Sequence, residues 1–379
     1  MRVLFHVQHL LGVGHLRRGE LITRAMAARG INVTVALGGH PMPEMPFREA
    51  HVVQLPPVSI KGADFKTLYD ETGAPIDAAW KARRTEALLD LYESVRPDVV
   101  LMEMFPFGRW RFRFELVPLM ERATKDAPRV KCVTSVRDIL VATKHPERST
   151  FAAELARRHL AAVLVHSDPK LFTFAETYPH AGEIADLVSY TGYVTEAAER
   201  GPIERNDRVV VSAGGGAAAG NLLRTAIEAR ALCPPTIRDK VWHFLAGPRA
   251  GEADYAELEA MAGARTVVER FTPRFQALLD GASLSISQAG YNTVMNLMRA
   301  KIPAVVVPYD DGEETEQVFR SARMEKLGLL DVVETADLSP ERLASAIVRA
   351  DGRRDRPVPT IDLEGADATA AAIARLIGA

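Results

Sequence analysis

Apolar and polar positions alternate along this chain in blocks that read as strand, helix, strand. Residues 2–6 form a short apolar run of the kind a buried strand makes, residues 16–29 carry apolar positions at helical spacing, and residues 32–37 form a second run ending at Gly38-Gly39. That is a β-α-β unit. Strands at 98–102, 129–134 and 162–166, with a helix at 150–161 before the last, continue the alternation and predict a mainly parallel sheet covered by helices. From Gly192 to Asp207 the pattern dissolves into a polar stretch containing Gly201-Pro202, which reads as a linker. A second series follows. Strands at 208–212, 241–246, 266–269, 284–287 and 304–307 are interleaved with helices at 221–231, 275–280 and 293–300. The expected organisation is an N-terminal domain at 1–195, a C-terminal domain at 205–357, and a tail, 358–379, with an Ala-rich helix at 366–377 of unspecified placement. No internal sequence repeat accompanies the repeated architecture.

A length of 379 residues suits two such domains, each able to bury its own core. The composition, 47% hydrophobic and 25% charged with a formal net charge of −2, shows no basic footprint for a polyanion and argues against nucleic acid. Cys132 and Cys233 lack both metal-site spacing and a disulfide framework, and a reducing cytoplasm is expected. The apolar runs fall short of a membrane span, and no leader peptide is expected before the first strand. Two open α/β sheets joined by a linker are expected to present their ligand-binding edges across one cleft.

Two glycine turns carry candidate chemistry in the second half. Ser212-Ala-Gly214-Gly215-Gly216-Ala-Ala-Ala-Gly220 joins a strand to a helix, where backbone N–H groups and the helix N-terminus can meet a phosphate, although a tight packing turn reads equally well. The next strand ends Phe244-Leu245-Ala246-Gly247, without the acidic residue that holds the ribose of a dinucleotide, and this disfavours NAD. The second turn lies in Ile286-Ser287-Gln288-Ala289-Gly290-Tyr291-Asn292-Thr293-Val294-Met295-Asn296. It is followed by Ile302-Pro303 with a strand, and by Glu313-Glu314-Thr315-Glu316-Gln317.

This strand, turn, helix, strand and acidic loop resembles the donor domain of GT-B glycosyltransferases. The likeness is to family 28, the group of the peptidoglycan lipid-intermediate N-acetylglucosaminyltransferase, and covers residues 209–330. The resemblance implies an α/β GT-B fold, two Rossmann-like domains with mainly parallel sheets facing across a cleft. It also implies a nucleotide-sugar donor, expected to be a UDP sugar. In such a site Gly290, Tyr291, Asn292 and Thr293 would meet the diphosphate, Phe271 and Thr272 the base, Glu316 and Gln317 the sugar hydroxyls. Gly14, Gly214, Gly215, Gly216 and Gln288 complete the expected donor set. Where the family has a glutamate on the ribose diol, this chain has Asn296, whose amide can accept one hydroxyl and donate to another.

In the first half, Gly12-Val13-Gly14-His15-Leu16-Arg17-Arg18 joins strand to helix, and the family's first loop is likewise glycine-rich with a histidine. His15 is the candidate base, since an imidazole with an ordinary pKa near 6.5 suits proton transfer at neutral pH; its bland alternative is a capping or packing role. Arg17 and Arg18 read as solvated or helix-stabilising, with an anion contact by one of them as the alternative. The same loop is similar to that of the nucleotide-sugar hydrolases of pseudaminic acid synthesis, so hydrolysis is the alternative reaction.

No Asp-x-Asp set is present, and helix N-termini offer the fixed positive potential that a departing diphosphate needs, so an inverting, metal-independent transfer without a cofactor is expected. On the acceptor side the candidates are Glu103, Arg109, Arg137 and Asp138, all at strand ends. Trp110 and Phe114, like Arg109 and Arg113, lie four apart, so one helix would carry an apolar and a basic stripe. A core-facing helix with solvated arginines is the plainer reading. The functional one is a wall for a glycan, lipid-linked or small-molecule acceptor, or a peripheral contact with anionic lipid at the inner face of the membrane. Rival functions are a nucleotide-sugar hydrolase or epimerase on the same fold, and a non-catalytic nucleotide-sugar-binding protein.

Overall fold

The computed structural model describes the chain except for residues 11–13, 43–45, 62–63, 141–144, 197–205, 214–218, 248–249, 273, 311–315, 354–358 and 379. Its first unit, Met1–Thr195 together with Asp362–Ala379, begins with β1 (Arg2–Val7), α1 (Gly14–Ala28), β2 (Asn32–Leu37) and β3 (His51–Gln54). A short antiparallel pair, β4 (Ser59–Lys61) and β5 (Asp64–Tyr69), precedes α2 (Ala78–Val95), β6 (Val99–Glu103), α3 (Arg113–Lys125) and β7 (Lys131–Arg137). Then come α4 (Pro146–His159), β8 (Leu160–His166) and β9 (Val188–Tyr190). Among the described residues the strands form one sheet in the order β3-β2-β1-β6-β7-β8-β9, with every pairing parallel.

Strand periodicity divides this core into two layers. Val3, Phe5 and Val7 pack with Leu16, Ile22 and Met26 of α1, whereas Leu4, Val100 and Met102 pack with Trp80, Leu88, Leu116 and Met120 of α2 and α3. Both faces are covered, so the central strands are apolar along most of their length. The Asp77 carboxylate caps α2 by accepting from the Trp80 N–H at 2.7 Å.

The second unit, Glu196–Ile361, comprises β10 (Arg208–Ser212), α5 (Ala219–Leu232), a single turn α6 (Pro235–Arg238), β11 (Val241–Leu245), α7 (Glu252–Met261) and β12 (Thr266–Glu269). It continues with α8 (Phe275–Asp280), β13 (Leu284–Gln288), α9 (Tyr291–Ala300), β14 (Ala304–Val307), α10 (Glu316–Lys326), β15 (Asp331–Val332) and α11 (Pro340–Asp351). Its sheet, β12-β11-β10-β13-β14-β15, is parallel throughout. The protein is therefore an α/β molecule with two parallel sheets.

Several boundaries differ from those expected. The helix expected at 150–161 starts at Pro146, whose fixed φ suits a first turn, and ends at His159, because buried Leu160 already has extended backbone and begins β8. The expected single helix carrying Trp110, Phe114, Arg109 and Arg113 is a 3₁₀ turn, Trp110–Phe112, followed by α3. The Arg109 backbone is left-handed, φ 57°, which separates its side chain from the Arg113 stripe.

The tail helix α12 (Gly365–Leu376) belongs to the first unit and packs on α1. Its return path is stitched by backbone bonds: Tyr193 N–H donates to Asp362 O at 2.8 Å and Gly365 N–H donates to Tyr193 O at 3.0 Å. A Cβ on Gly365 would stand 2.3 Å from Gly192 O, so only glycine admits this approach. Ala370 and Ile373 have no exposed surface and complete the layer that α1 begins. Ile373→Ala is expected to lower unfolding free energy by about 2–4 kcal/mol in chemical denaturation, as for other buried large-to-small changes; an unchanged midpoint would show that the tail is not part of this core.

Candidate active site

In each sheet the strand order reverses direction at one point, where a crevice opens at the carboxyl ends of the strands. In the first unit that point lies between β1 and β6, which are neighbours. The chain leaves β1 through a glycine loop into α1 and so delivers His15. The end of β6 delivers Glu103. His15 Nδ1 and the Glu103 carboxylate are 2.5 Å apart. Because an ionised carboxylate only accepts, the Nδ1 position carries the hydrogen, and Nε2 is left with its lone pair.

Glu103 is 1% exposed, and its charge is met from two further directions. Arg18, one helical turn after His15 and itself buried, donates to Oε1, and Arg109 approaches Oε2 at 3.4 Å through both Nε and Nη2. Burial alone would raise the Glu103 pKa, but His15, Arg109 and Arg18 together hold it well below the usual carboxylate range. His15 is pushed down to about 3, first by burial and then by the Arg109 charge, against the opposing pull of Glu103. The carboxylate is already claimed by two guanidiniums and has little left for an imidazolium. The ring, 23% exposed at the side chain, is thus a neutral imidazole with an acceptor nitrogen.

Arg137 and Asp138 follow at the end of β7. Register pairs Glu103 with Ser135, so Arg137 stands two residues further along the same edge, half-buried. Asp138 is fully buried, and its Oδ1 accepts from the Ile139 N–H at 2.9 Å. Of the four acceptor-side candidates, Glu103 and Arg109 join His15; Arg137 and Asp138 form a separate feature. Arg18, read from sequence as solvated, is buried on Glu103. The signal was its spacing, three residues after His15 on one helix face.

In the second unit the reversal lies between β10 and β13. The Gly214, Gly215 and Gly216 turn lies outside the described residues. After β13, Gly290 precedes α9 with φ −60° and ψ 143°, a conformation open to any residue. Among the described residues a Cβ there would meet only Thr293 Oγ1, at 4.0 Å. Neither the backbone nor its packing against the described residues requires glycine, and none of them fills the space before the helix N-terminus. Asn292, Thr293 and Asn296 are half-buried along α9, Tyr291 and Gln288 are buried, and Phe271 is 56% exposed. Thr272 Oγ1 accepts from the Arg274 N–H at 3.2 Å. Asn296 is fixed through its carbonyl, which accepts from Gln276 Nε2 at 3.3 Å. Glu316 is held by Arg320 at 2.6 Å, and Gln317 Oε1 accepts from the Tyr309 N–H at 3.0 Å. Gly14 is the first residue of α1.

Residues 209–373 match the model of the glycosyltransferase family 28 C-terminal domain. Over this stretch the chain is family 28-like, on a GT-B fold. Over 150 residues it is 29% identical to a UDP-N-acetylglucosamine--N-acetylmuramyl-(pentapeptide) pyrophosphoryl-undecaprenol N-acetylglucosamine transferase of Brucella anthropi, covering 39% of this chain and 40% of that one. The chain thus spans about two fifths of the length of the curated relatives it matches. Among solved structures it resembles the calicheamicin glycosyltransferase CalG4 at TM-score 0.62 and 16% identity, covering 99% of this chain and 96% of that one. It also resembles MurG of Acinetobacter baumannii at TM-score 0.59 and 16% identity, covering 99% of each. These last two likenesses carry the fold. The family 28 match includes β13, Gly290 and α9 but not His15 or Glu103.

A histidine whose folded pKa is depressed binds fewer protons than in the unfolded chain between about pH 6.5 and 3, so the fold loses stability as pH falls through that window. For a base that must be neutral, the acidic limit on rate keeps the sign of an ordinary imidazole's and moves down with the pKa: no loss is expected near pH 6.5. The acidic limb of kcat/KM should stay flat from pH 7 to pH 5, and an inflection near 6.5 assigned to His15 by its imidazole NMR shifts would refute the depressed pKa.

Proposed function

We propose that this protein transfers a sugar from a UDP sugar to an acceptor hydroxyl with inversion. The observation that carries the reading is the His15–Glu103 pair at the reversal point of the first sheet. His15 Nε2 takes the hydroxyl proton while the acceptor oxygen bonds to the anomeric carbon. The bond from that carbon to the diphosphate breaks, and the nucleoside diphosphate leaves with the electron pair. Glu103 holds the Nδ1–H and offsets the charge that forms on the ring.

The unfilled space at Gly290 and the ten-residue helix α9 behind it support donor binding there. Backbone N–H groups and the positive end of the helix dipole suit a diphosphate and its departing charge, so the transfer is read as metal-independent. UDP follows the name of the curated relatives, and Asn296 is read as the residue meeting the ribose. Glu316 and Gln317 are read as the sugar contacts, with Phe271 and Thr272 at the base.

The acceptor is read as lipid-linked. Trp110 is stacked by Arg113 at 4.8 Å and Arg148 at 5.5 Å, with Phe151, 36% exposed, edge-on at 5.3 Å. Such an aromatic and basic surface suits a peripheral contact with an anionic cytoplasmic leaflet. No helix among the described residues is long and apolar enough to cross a membrane. Co-sedimentation with phosphatidylglycerol vesicles, weakened by Trp110→Ala, is expected; equal binding to phosphatidylcholine vesicles would remove the electrostatic part of this reading.

The central experiment measures donor binding and turnover together, in excess chelator, with and without acceptor. Gly290→Leu is expected to fold normally yet lose donor affinity. His15→Gln should keep donor affinity and lose turnover by on the order of 10²- to 10⁴-fold, because an amide cannot take the proton. Near-normal turnover by the Gln variant would reduce His15 to a positioning group, and loss of wild-type turnover in chelator would overturn metal independence. Rapid sugar release by the wild type without acceptor would make water the substrate, since a His15–Glu103 pair can equally deprotonate water.

A further inference from the structure

Behind the His15–Glu103 pair lies an arginine that the reaction itself does not use. Arg84, on α2, has no exposed surface, and all five of its N–H donors are bonded. Nε and one Nη2 hydrogen bind Glu115 at 2.6 and 3.0 Å, and the other Nη2 hydrogen binds Gln8 Oε1 at 2.7 Å. The two Nη1 hydrogens reach the carbonyls of Gly38 at 2.8 Å and Pro56 at 2.5 Å.

Each acceptor belongs to a different connection at the carboxyl edge of the first sheet. Gln8 follows β1 and leads toward His15; its own Nε2 donates to the His9 carbonyl at 2.7 Å, so both ends of the amide are engaged. Gly38 follows β2, and Pro56 follows β3. Glu115 lies in the first turn of α3, past Arg109 and Phe112 on the segment that leaves β6, and the guanidinium stacks on Phe112 at 5.5 Å. The clearance at Gly38 belongs to the same arrangement, because a Cβ there would sit 2.0 Å from Gln8 Oε1 and 2.5 Å from Arg84 Nη2.

A buried ion pair is seldom the strongest way to stabilise a core, since desolvation offsets most of its attraction. Its geometric exactness is another matter: a planar fork with every donor bonded permits one arrangement of its partners. We infer that Arg84 is a positioning residue that fixes the two connections carrying His15 and Glu103–Arg109 relative to each other. This rests on the reading of His15 as the base. Arg84 lies behind these groups and touches no substrate; its effect passes through Gln8 on one side and through Glu115 and Phe112 on the other.

The test is a mutant cycle. Arg84→Lys keeps the charge but replaces the fork with one nitrogen. Its kcat is expected to fall by on the order of 10²-fold, the usual effect of an ångström-scale misplacement, with the donor KM unchanged. The acidic limb of kcat/KM should move up toward pH 6.5 as the ring gains water and loses its fixed neighbours, Glu103, Arg18 and Arg109. In a His15→Ala background the same substitution should cost less than about twofold, because there is no base left to place. If Arg84→Lys does not fold, the double variant Arg84→Gln/Glu115→Gln, which leaves no buried charge unpaired, carries the same cycle. A lowered melting temperature with kcat and pH limb unchanged, or a full 10²-fold loss in the His15→Ala background, would overturn the positioning role. A silent His15→Ala would remove the base assignment instead and the positioning role with it.

Discussion

A carboxylate buried to 1% cannot stand alone, and the architecture around Glu103 follows from that constraint. The residue ends a central strand at the point where the sheet order reverses. There it draws in one donor from the first turn of α1, one from the next turn of the same helix, and one from the segment before α3. Those contacts bear on the state of the histidine. Glu103 alone pulls the imidazole toward protonation, but burial first, then Arg109 and to a lesser degree Arg18, hold it neutral, so its outer nitrogen can accept a proton.

The central strands of both sheets were legible because parallel strands covered on two faces are largely apolar, as in Val99–Met102 and Val209–Val211, whereas the short edge strands β3, β9 and β15 were not. The β13–turn–α9 segment was legible too, down to Gly290. What escaped was the stretch from His51 to Val95. The β4–β5 pair is short, and the inward stripe of α2, Trp80, Arg84, Leu88 and Tyr92, has an arginine in its second place. Periodicity counts that arginine as a break in the stripe. Arg18 was misread for the same reason: nothing in a residue's type says that a buried carboxylate from a distant strand will meet it. Long-range charge pairing of this kind, eighty-five positions apart for Arg18 and Glu103, leaves no local trace beyond the spacing of Arg18 three residues after His15.

Glycines illustrate how structure divides similar motifs. At Gly38 and Gly39 the missing side chains are used by the protein itself, the space being occupied by Gln8 and Arg84 at one and by the His9 ring at the other. At Gly290 the backbone is ordinary and the nearest atom is a full van der Waals distance away. The Gly38-Gly39 pair and Gly290 looked alike as glycines after strands. Among the described residues only the pair has a role in packing; Gly290 leaves room in front of a helix N-terminus, and a diphosphate is the kind of group that fills such room.

A base with a pKa near 3 is a weak one, and this limits when the proton can move. It cannot remove a proton from a free alcohol to any useful extent. As the acceptor oxygen bonds to the anomeric carbon, however, it becomes oxonium-like and strongly acidic, and even a weak base then accepts. In the proposed reaction the proton would therefore reach His15 in the later part of bond formation, with His15 first orienting the hydroxyl as a hydrogen-bond acceptor. After burial, Arg109 is the strongest influence weakening this proposed base. Its contacts to Glu103 are both 3.4 Å, long beside those of His15 and Arg18, so it is the partner most easily drawn away. An anionic group on the acceptor that attracted Arg109 would return negative charge to Glu103 and raise the His15 pKa. The base would then be strengthened only when substrate is in place.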